Sequence, residues 1–280
     1  MKYKLICIDM DGTLLNSNHK ISEISKSTLR KAHDMGVHVV ISTGRTYVDA
    51  LAYSDLIGLN SPIIACTGAI IKEKHDDNVI HKSVIEEELC KHLLKIFEKH
   101  NVKPIFNSVH KIYCGDLKLK IGIELLKIRG FINKNVKLKY IKNEEKWFDV
   151  FKHEKNNIIK CEIINRNRQK IHNLRKELEN VSGIEITSSS NHNIEITKKG
   201  ASKGKAIEIL ANYYNIKKEE IIAIGDSDND LSAIEFAGMG VAMANANEQV
   251  KKKSNFVTDS NDNDGVAKVI DKFILKNRFN

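Results

Sequence analysis

The chain has 280 residues, 41% apolar and 29% charged, with a formal charge of +9, which suits a soluble globular protein of one or two domains. No apolar run reaches membrane-spanning length and the first residues lack signal-peptide architecture, so no membrane partner is expected. The cysteines (Cys7, Cys66, Cys90, Cys114, Cys161) are scattered, odd in number and without a Cys-x-x-Cys pair, which argues against a disulfide framework or zinc cluster and for a reducing cytoplasm.

The chain opens on Lys4-Leu5-Ile6-Cys7-Ile8, an apolar run that reads as a buried parallel strand, and runs into Asp9-Met10-Asp11-Gly12-Thr13. Burying an ion is costly unless it is paired or metal-bound. Two carboxylates at this point therefore mark either a surface turn or a site at the strand's carboxyl end, where open parallel sheets place ligands. Residues two apart in an extended chain point the same way, so Asp9 and Asp11 can share a cation, and Gly12 lets the chain turn beneath them. A helix follows over Ser22 to Met35, with Ser22 as N-cap and Gly36 as stop. Val37 to Ile41 is a second strand, ending in Ser42-Thr43-Gly44-Arg45 and a helix through Ile57. Ile63 to Cys66 is a third, running into Thr67-Gly68-Ala69. Ile70 to Lys82, with the turn-like Asp76-Asp77-Asn78, reads as a hairpin. Strand and helix alternate as in a parallel α/β sheet.

From Val84 the texture changes to a mixed α+β insert. Glu86 to His100 is an amphipathic helix, and Leu117 to Arg129 and Asn167 to Glu179 are further helices. Strands are expected near Lys103–Phe106, Lys111–Cys114, Val136–Tyr140, Ile158–Ile164 and Gly183–Thr187, while Asn143 to Asn157 shows no clear period. The single Trp147 is read as a core or interface aromatic ahead of a substrate platform. Val84 to Ser189 holds 22 Lys and Arg against 14 Asp and Glu, and the rest of the chain 23 against 22. The insert is thus the basic part, which either attracts an anionic partner or is a solvated Lys-rich face. It has no arginine-rich stripe or aromatic platform, so nucleic acid ranks low as a partner.

From Asn193 the first texture is expected to return. Ile194 to Thr197 is read as a strand of the first sheet, with His192 and Asn193 as turn residues at the re-entry. Gly200-Ala201-Ser202-Lys203-Gly204 opens a helix. Ile221 to Gly225 is a strand ending in Asp226-Ser227-Asp228-Asn229-Asp230. Gly240 to Met243 and Asn255 to Thr258 are strands, and a helix over Gly265 to Leu275 closes the fold.

Four polar clusters thus stand at strand ends or helix starts: Asp9 with Asp11, Thr43-Gly44-Arg45, Lys203, and Asp226 with Asn229 and Asp230. Carboxylates, a lysine, a hydroxyl and a helix N-terminus are the parts of a metal-assisted phosphate site. Hard oxygen ligands select Mg²⁺.

Across its whole length the chain resembles the haloacid dehalogenase superfamily of phosphatases, and within it the Cof-type branch, which carries a large C2B-type α/β cap. Asp9-Met10-Asp11-Gly12-Thr13 matches the family's first motif, Ser42-Thr43-Gly44-Arg45 the second, Lys203 the third, and Gly225-Asp226-Ser227-Asp228-Asn229-Asp230 the fourth. One departure is Cys66-Thr67-Gly68-Ala69, where this branch usually has Asn-Gly-Ala. The resemblance implies a Rossmann-like α/β core of residues 1–83 and 190–280 with an inserted α+β cap of residues 84–189. It implies Asp9 as the nucleophile that forms an aspartyl-phosphate and Asp11 as acid and then base. It implies Mg²⁺ held by Asp9, the Asp11 carbonyl and Asp226, with Asp230 supporting metal waters or Lys203. Phosphate would be bound by Met10, Thr43, Gly44, Lys203 and Asn229, while Arg45 contacts phosphate or braces the loop. The expected substrate is a small phosphorylated metabolite, sugar phosphates first. A phosphomutase or phosphotransferase using the same intermediate is the alternative. Neither the natural substrate nor the oligomeric state can be read from the residues.

Overall fold

The computed structural model describes residues 2–76 and 78–276; Asp77, part of the turn expected at Asp76–Asn78, lies outside the described residues. The chain divides into two compact units: residues up to His81 together with those from Ser202 onward, and Lys82–Ala201.

The first unit opens with β1 (Leu5–Ile8), α1 (Glu23–Asp34), β2 (His38–Ile41), α2 (Tyr47–Ile57), β3 (Ile63–Ala65), β4 (Ile70–Lys72) and β5 (Val79–Lys82). The hydroxyls of Ser22 and Thr46 accept from the backbone N–H groups of Ser25 and Asp49, capping α1 and α2. The second unit runs α3 (Glu87–Lys99), β6 (Pro104–Ser108), β7 (Ile112–Cys114), α4 (Leu117–Ile128), β8 (Leu138–Tyr140), α5 (Glu144–His153), β9 (Ile158–Ile164), α6 (Arg168–Leu178), β10 (Ile184–Thr187) and β11 (Asn193–Lys198). The first unit then resumes with α7 (Lys203–Tyr213), β12 (Ile221–Gly225), α8 (Leu231–Phe236), β13 (Met239–Ala242), α9 (Glu248–Lys253), β14 (Phe256–Val257) and α10 (Gly265–Ile270), which passes into a π-helical turn over Asp271–Leu275.

The first unit's main sheet has the order β14-β13-β12-β1-β2 and every pairing is parallel. Such strands are covered on both faces, so β1 is buried at all four positions and β12 at all five. From β1 the chain builds outward through β2, and from β12 it builds the other way. The order therefore reverses between β1 and β12, and the carboxyl ends of those two strands frame the crevice where open α/β sheets bind ligands. β3 joins β2 only through a parallel bridge between Ser42 and Ile64, and forms its own small sheet with β4 and β5.

The second unit is a six-stranded sheet of order β10-β11-β9-β6-β7-β8, in which only β7 and β8 pair in parallel. Alternate residues (Phe106, Tyr113, Cys161, Ile163, Ile194, Ile196) enter one core with Leu93, Phe97, Trp147, Phe151, Leu174 and Leu178 of α3, α5 and α6. Trp147 sits edge-on to Phe106 and stacks with Phe151, as a core aromatic.

The segment around Asn193 corrects the expectation. β11 pairs antiparallel with β9 and β10, so it belongs to the second sheet, and the chain re-enters the first unit only at Ser202. The physical reason is visible in Ile194-Glu195-Ile196-Thr197, which alternates apolar and polar, unlike the continuous apolar runs of β1 and β12. Its polar positions are buried too: Glu195 pairs with Lys160 of β9 at 3.0 Å. Asn193 turns the chain into β11, its side-chain oxygen accepting from the N–H groups of Ser189 and Ser190. Asn143–Asn157, without a clear period in the sequence, contains α5, capped by Asn143 and anchored by Trp147, Val150 and Phe151.

Two stability predictions follow from buried chemistry. Lys160→Met leaves Glu195 buried without its cation and should cost about 3–5 kcal/mol in chemical denaturation, most of it recovered by adding Glu195→Leu. A double variant no more stable than the single one would show that the ion pair is not the interaction lost. Thr67, with φ +60°, holds a left-handed conformation that strains a β-branched residue. Thr67→Asn should therefore raise the melting temperature by about 2 °C, and a fall would contradict the strain.

Candidate active site

Three carboxylates meet at the crevice between β1 and β12. Asp9 is the first residue past β1, and its N–H donates to Ile224 of β12 at 3.0 Å. Asp226 directly follows β12, and Asp230 closes the tight turn Asp228–Asp230. Oxygens of Asp9, Asp226 and Asp230 all lie within 4.8 Å of one another.

Glycines permit this crowding. Gly12 has φ +79°, and a Cβ there would lie 2.6 Å from Asp226 Oδ2. A Cβ on Gly225 would lie 2.4 Å from Asp230 Cγ. Asn245 Nδ2 donates to the Gly12 carbonyl at 2.8 Å and steadies the turn.

One cation stands among the carboxylates. Lys203, the first residue of α7, is fully buried, and its Nζ lies 2.5 Å from Asp9 Oδ1 and 2.6 Å from Asp230 Oδ1. Burial pulls the Lys203 pKa down, but Asp230 and Asp9 pull it up by more, so the ammonium stays charged. Burial raises the Asp9 pKa well above the ordinary carboxyl value, with Asp230 and Asp226 adding to the rise and Lys203 opposing it. Asp226 is pushed from 3.8 up to about 6, mainly by burial and then by Asp230.

Counting oxygens shows what the cluster can hold. Asp9 Oδ1 accepts from Lys203, and Asp226 Oδ1 accepts from the Thr13 hydroxyl at 2.7 Å. Both oxygens of Asp230 are engaged, Oδ1 by Lys203 and Oδ2 by the N–H groups of Asp226 and Ser227 at 3.0 and 3.1 Å. Among the described residues, no hydrogen bond engages Asp9 Oδ2 or Asp226 Oδ2. Those two oxygens fit a hard divalent cation such as Mg²⁺, which commonly takes one or two carboxylates and keeps water and phosphate as its other ligands.

The side chain of Asp11 is engaged elsewhere. Arg45 grips it with both ends of its fork, Nε to Oδ2 at 2.7 Å and Nη2 to Oδ1 at 2.6 Å. The remaining arm of Arg45 reaches Asp49, one turn along α2, at 2.7 Å. Arg45 therefore braces, and what it braces is the Asp11 carboxylate. Thr43 lies past β2, buried, with its hydroxyl accepting from the Arg45 N–H at 3.1 Å and its carbonyl accepting from the Thr67 N–H at 3.0 Å. Met10 is buried behind Asp9, and Asn229 is buried in the Asp228–Asp230 turn beside Ser227, whose hydroxyl donates to its side-chain oxygen at 3.3 Å. Gly44 stands between Thr43 and Arg45 in the same loop. His192 belongs to the second unit, in the turn before β11.

Three participants were not anticipated. Thr13 stood in plain view as the hydroxyl of Asp-Gly-Thr, and Asp49 is four residues from Arg45 on one helix face, a spacing that reads as an ion pair. Asn245 carries no local signal, because its partner Gly12 is 233 residues away.

Comparison with known proteins places this arrangement. A family described as haloacid dehalogenase-like hydrolase matches residues 6–270. The chain is 35% identical to the 5-amino-6-(5-phospho-D-ribitylamino)uracil phosphatase YwtE of Bacillus subtilis (strain 168), covering 97% of this chain and 98% of that protein. A solved haloacid dehalogenase-like hydrolase from B. subtilis superposes with a TM-score of 0.86 at 31% identity, covering 97% of this chain and all of that one. A sugar phosphatase of HAD subclass IIB superposes with a TM-score of 0.81 at 27% identity, covering 96% and 98% of the two chains. This chain belongs to the haloacid dehalogenase-like hydrolase family, and it is a phosphatase of the Cof-type branch.

Proposed function

We propose that the chain hydrolyses small phosphorylated sugars or polyols through an aspartyl-phosphate on Asp9. The observation that carries this reading is the division of Asp9's two oxygens. Lys203 holds Oδ1, while Oδ2 has no hydrogen bond among the described residues. The buried ammonium thereby fixes the orientation of the carboxylate that is to attack. A HAD subclass IIB sugar phosphatase and a phosphoribitylamino-uracil phosphatase among the similar proteins support a polyol-like leaving group.

In this reading an oxygen of Asp9 attacks phosphorus, the phosphorus–oxygen ester bond breaks, and the leaving alkoxide takes a proton from Asp11, which enters this step as the neutral acid, released from the Arg45 fork. Asp11 then takes a proton from the water that attacks the aspartyl-phosphate, releasing inorganic phosphate and restoring Asp9. One residue serves as acid and then base. Before Asp11 can reach a leaving group, an oxygen must leave the Arg45 fork, so Arg45 sets the carboxylate's starting position. The Thr43 hydroxyl, the Gly44 and Met10 backbones, the Asn229 amide and the Lys203 ammonium supply donors to the phosphoryl oxygens. Asp9 and Asp226 would hold Mg²⁺, with Asp230 fixing Lys203. Bound there, Mg²⁺ offsets the combined negative charge of the carboxylates and the phosphoryl group.

Phosphate release from a sugar-phosphate panel, with and without Mg²⁺, tests the activity. Asp9→Asn should abolish release, and a variant as fast as the wild type would sink the nucleophile assignment. Asp11→Asn should keep the Mg²⁺-induced rise in melting temperature but lose about 10²–10⁴ in turnover. A collapse of that rise instead would mean that the Asp11 side chain holds the metal.

Melting in the absence of substrate tests the cation site independently. Without metal, the folded protein keeps the Asp226 proton up to about 6 while the unfolded chain releases it near 3.8. The folded state then binds more protons, so stability falls as pH rises through that window. Mg²⁺ competes with that proton, so the melting-temperature rise it produces should be larger at about pH 8 than at about pH 5 and should vanish in Asp226→Asn. Equal rises at both pH values would contradict the assignment.

A further inference from the structure

Helix α4 of the second unit differs from every other α-helix described: none of its residues is buried. Its sequence, LKLKIGIELLKI, is nevertheless rich in Leu and Ile. Leu117, Ile121, Leu125 and Ile128 are 48%, 53%, 50% and 82% exposed, and Leu126 is 39% exposed. Residues 117, 121, 125 and 128 follow the spacing of one helix face and form an apolar stripe facing solvent, in which Glu124 is the one charged residue. Leu119 and Ile123, of intermediate exposure, lie on other positions of the helix, which packs on β7 and β8.

The stretch that carries this stripe is rich in basic residues, with Asp116 as the acid that caps α4 just before it. Leu117 to Lys142 contains eight Lys or Arg and one acid, Glu124, a surplus of seven in a chain whose whole surplus is nine. Glu124 is itself paired with Lys127 at 3.0 Å. Lys118, Lys120 and Arg129 flank the stripe on α4 and its cap, and Lys134, Lys137, Lys139 and Lys142 follow. The insert's basic surplus therefore lies chiefly in the stretch of sequence that begins with α4.

Three occupants have different chemistry. A second copy, docked by two-fold symmetry, would bring like basic flanks together. A nucleic acid would satisfy the lysines but leave the Leu/Ile stripe in water. An anionic bilayer surface satisfies both features, because apolar side chains enter the headgroup–acyl boundary while lysines stay among the anionic headgroups. We propose that α4 seats this protein reversibly on an anionic lipid surface. The sequence-level expectation of no membrane partner rested on the absence of a spanning run, and an interfacial helix needs none. Among the described residues no helix is long and apolar enough to cross a membrane, which agrees with attachment at the surface.

Co-sedimentation of the full chain with lipid vesicles tests the proposal. The chain should pellet with phosphatidylcholine vesicles containing phosphatidylglycerol at about 0.15 M ionic strength and not with phosphatidylcholine alone. Ile121→Asp with Leu125→Asp should weaken binding by at least about tenfold. Lys118→Gln and Lys120→Gln should each weaken it about fivefold, and added salt should release the protein. All these positions lie on the exposed helix, and melting curves check that the variants fold. Failure to pellet with the anionic vesicles, or full binding by the Ile121/Leu125 variant, overturns the proposal. RNA binding lost with the lysines but kept in the Ile121/Leu125 variant would assign the face to a polyanion. A dimer dispersed by Ile121→Asp would assign it to a second copy.

Discussion

The site depends on one buried lysine shared by two carboxylates. Asp9, Asp226 and Asp230 place oxygens within 4.8 Å of one another, an arrangement that mutual repulsion and desolvation both oppose. Lys203 touches Asp9 and Asp230 and leaves Asp226 to be answered by Thr13 and, in the proposed reading, by a cation. A single ammonium cannot neutralise three carboxylates. Burial first, and then that imbalance, raise Asp9 and Asp226, and together they make the crevice a place where a divalent cation is favoured before any substrate arrives.

The backbone is shaped around that demand. The reversal of strand order between β1 and β12 brings the two chain segments side by side, and Gly12 and Gly225 remove the side chains that would hold the carboxylates apart. Arg45 extends the network outward. By holding both oxygens of Asp11, it keeps a fourth carboxylate out of a cluster that already carries excess negative charge. Asp49 fixes Arg45 in turn, so the position of Asp11 is set by a chain of contacts that begins on α2.

Much of this was legible in the residues, and the reasons are local. A continuous apolar run followed by acids marks a buried strand that ends at a polar crevice, and both β1 and β12 announce themselves that way. The donor that each acid meets was not legible, because it depends on contacts made across the fold. Asp11 and Asp9 look equivalent in sequence, yet one meets Arg45 and the other Lys203. The affiliation of Asn193–Lys198 was misread although the signal was present. Ile194-Glu195-Ile196-Thr197 has period two, but both of its faces are buried, and the polar one carries Glu195, whose partner Lys160 stands 35 positions earlier. A polar residue satisfied by a distant charge looks exposed in sequence. α4 poses the opposite problem: its Leu and Ile residues look buried and are not.

The insertion also bears on how Lys203 is placed. The chain re-enters the first unit at Ser202, immediately before the lysine that the cluster requires. Fixing a residue so soon after a long excursion demands contacts within the first unit itself. They are present: a Cβ on Gly68 would lie 2.2 Å from the Ser202 carbonyl oxygen, so the returning chain is pressed against the turn after β3. At the second residue of α7, Gly204 makes a second close approach, a Cβ there lying 2.2 Å from the carbonyl oxygen of Ser232 on α8, and its N–H donates to the Ser232 hydroxyl. Two backbone contacts thus bracket Lys203, and both need a glycine. The turn at Cys66–Gly68, with its strained Thr67, is part of that bracket, since Thr67 donates its N–H to the Thr43 carbonyl. The loop expected to bind phosphate and the lysine expected to bind it are therefore held by one short turn. This explains why a left-handed threonine is tolerated there: the contacts on both sides of it over-determine its backbone.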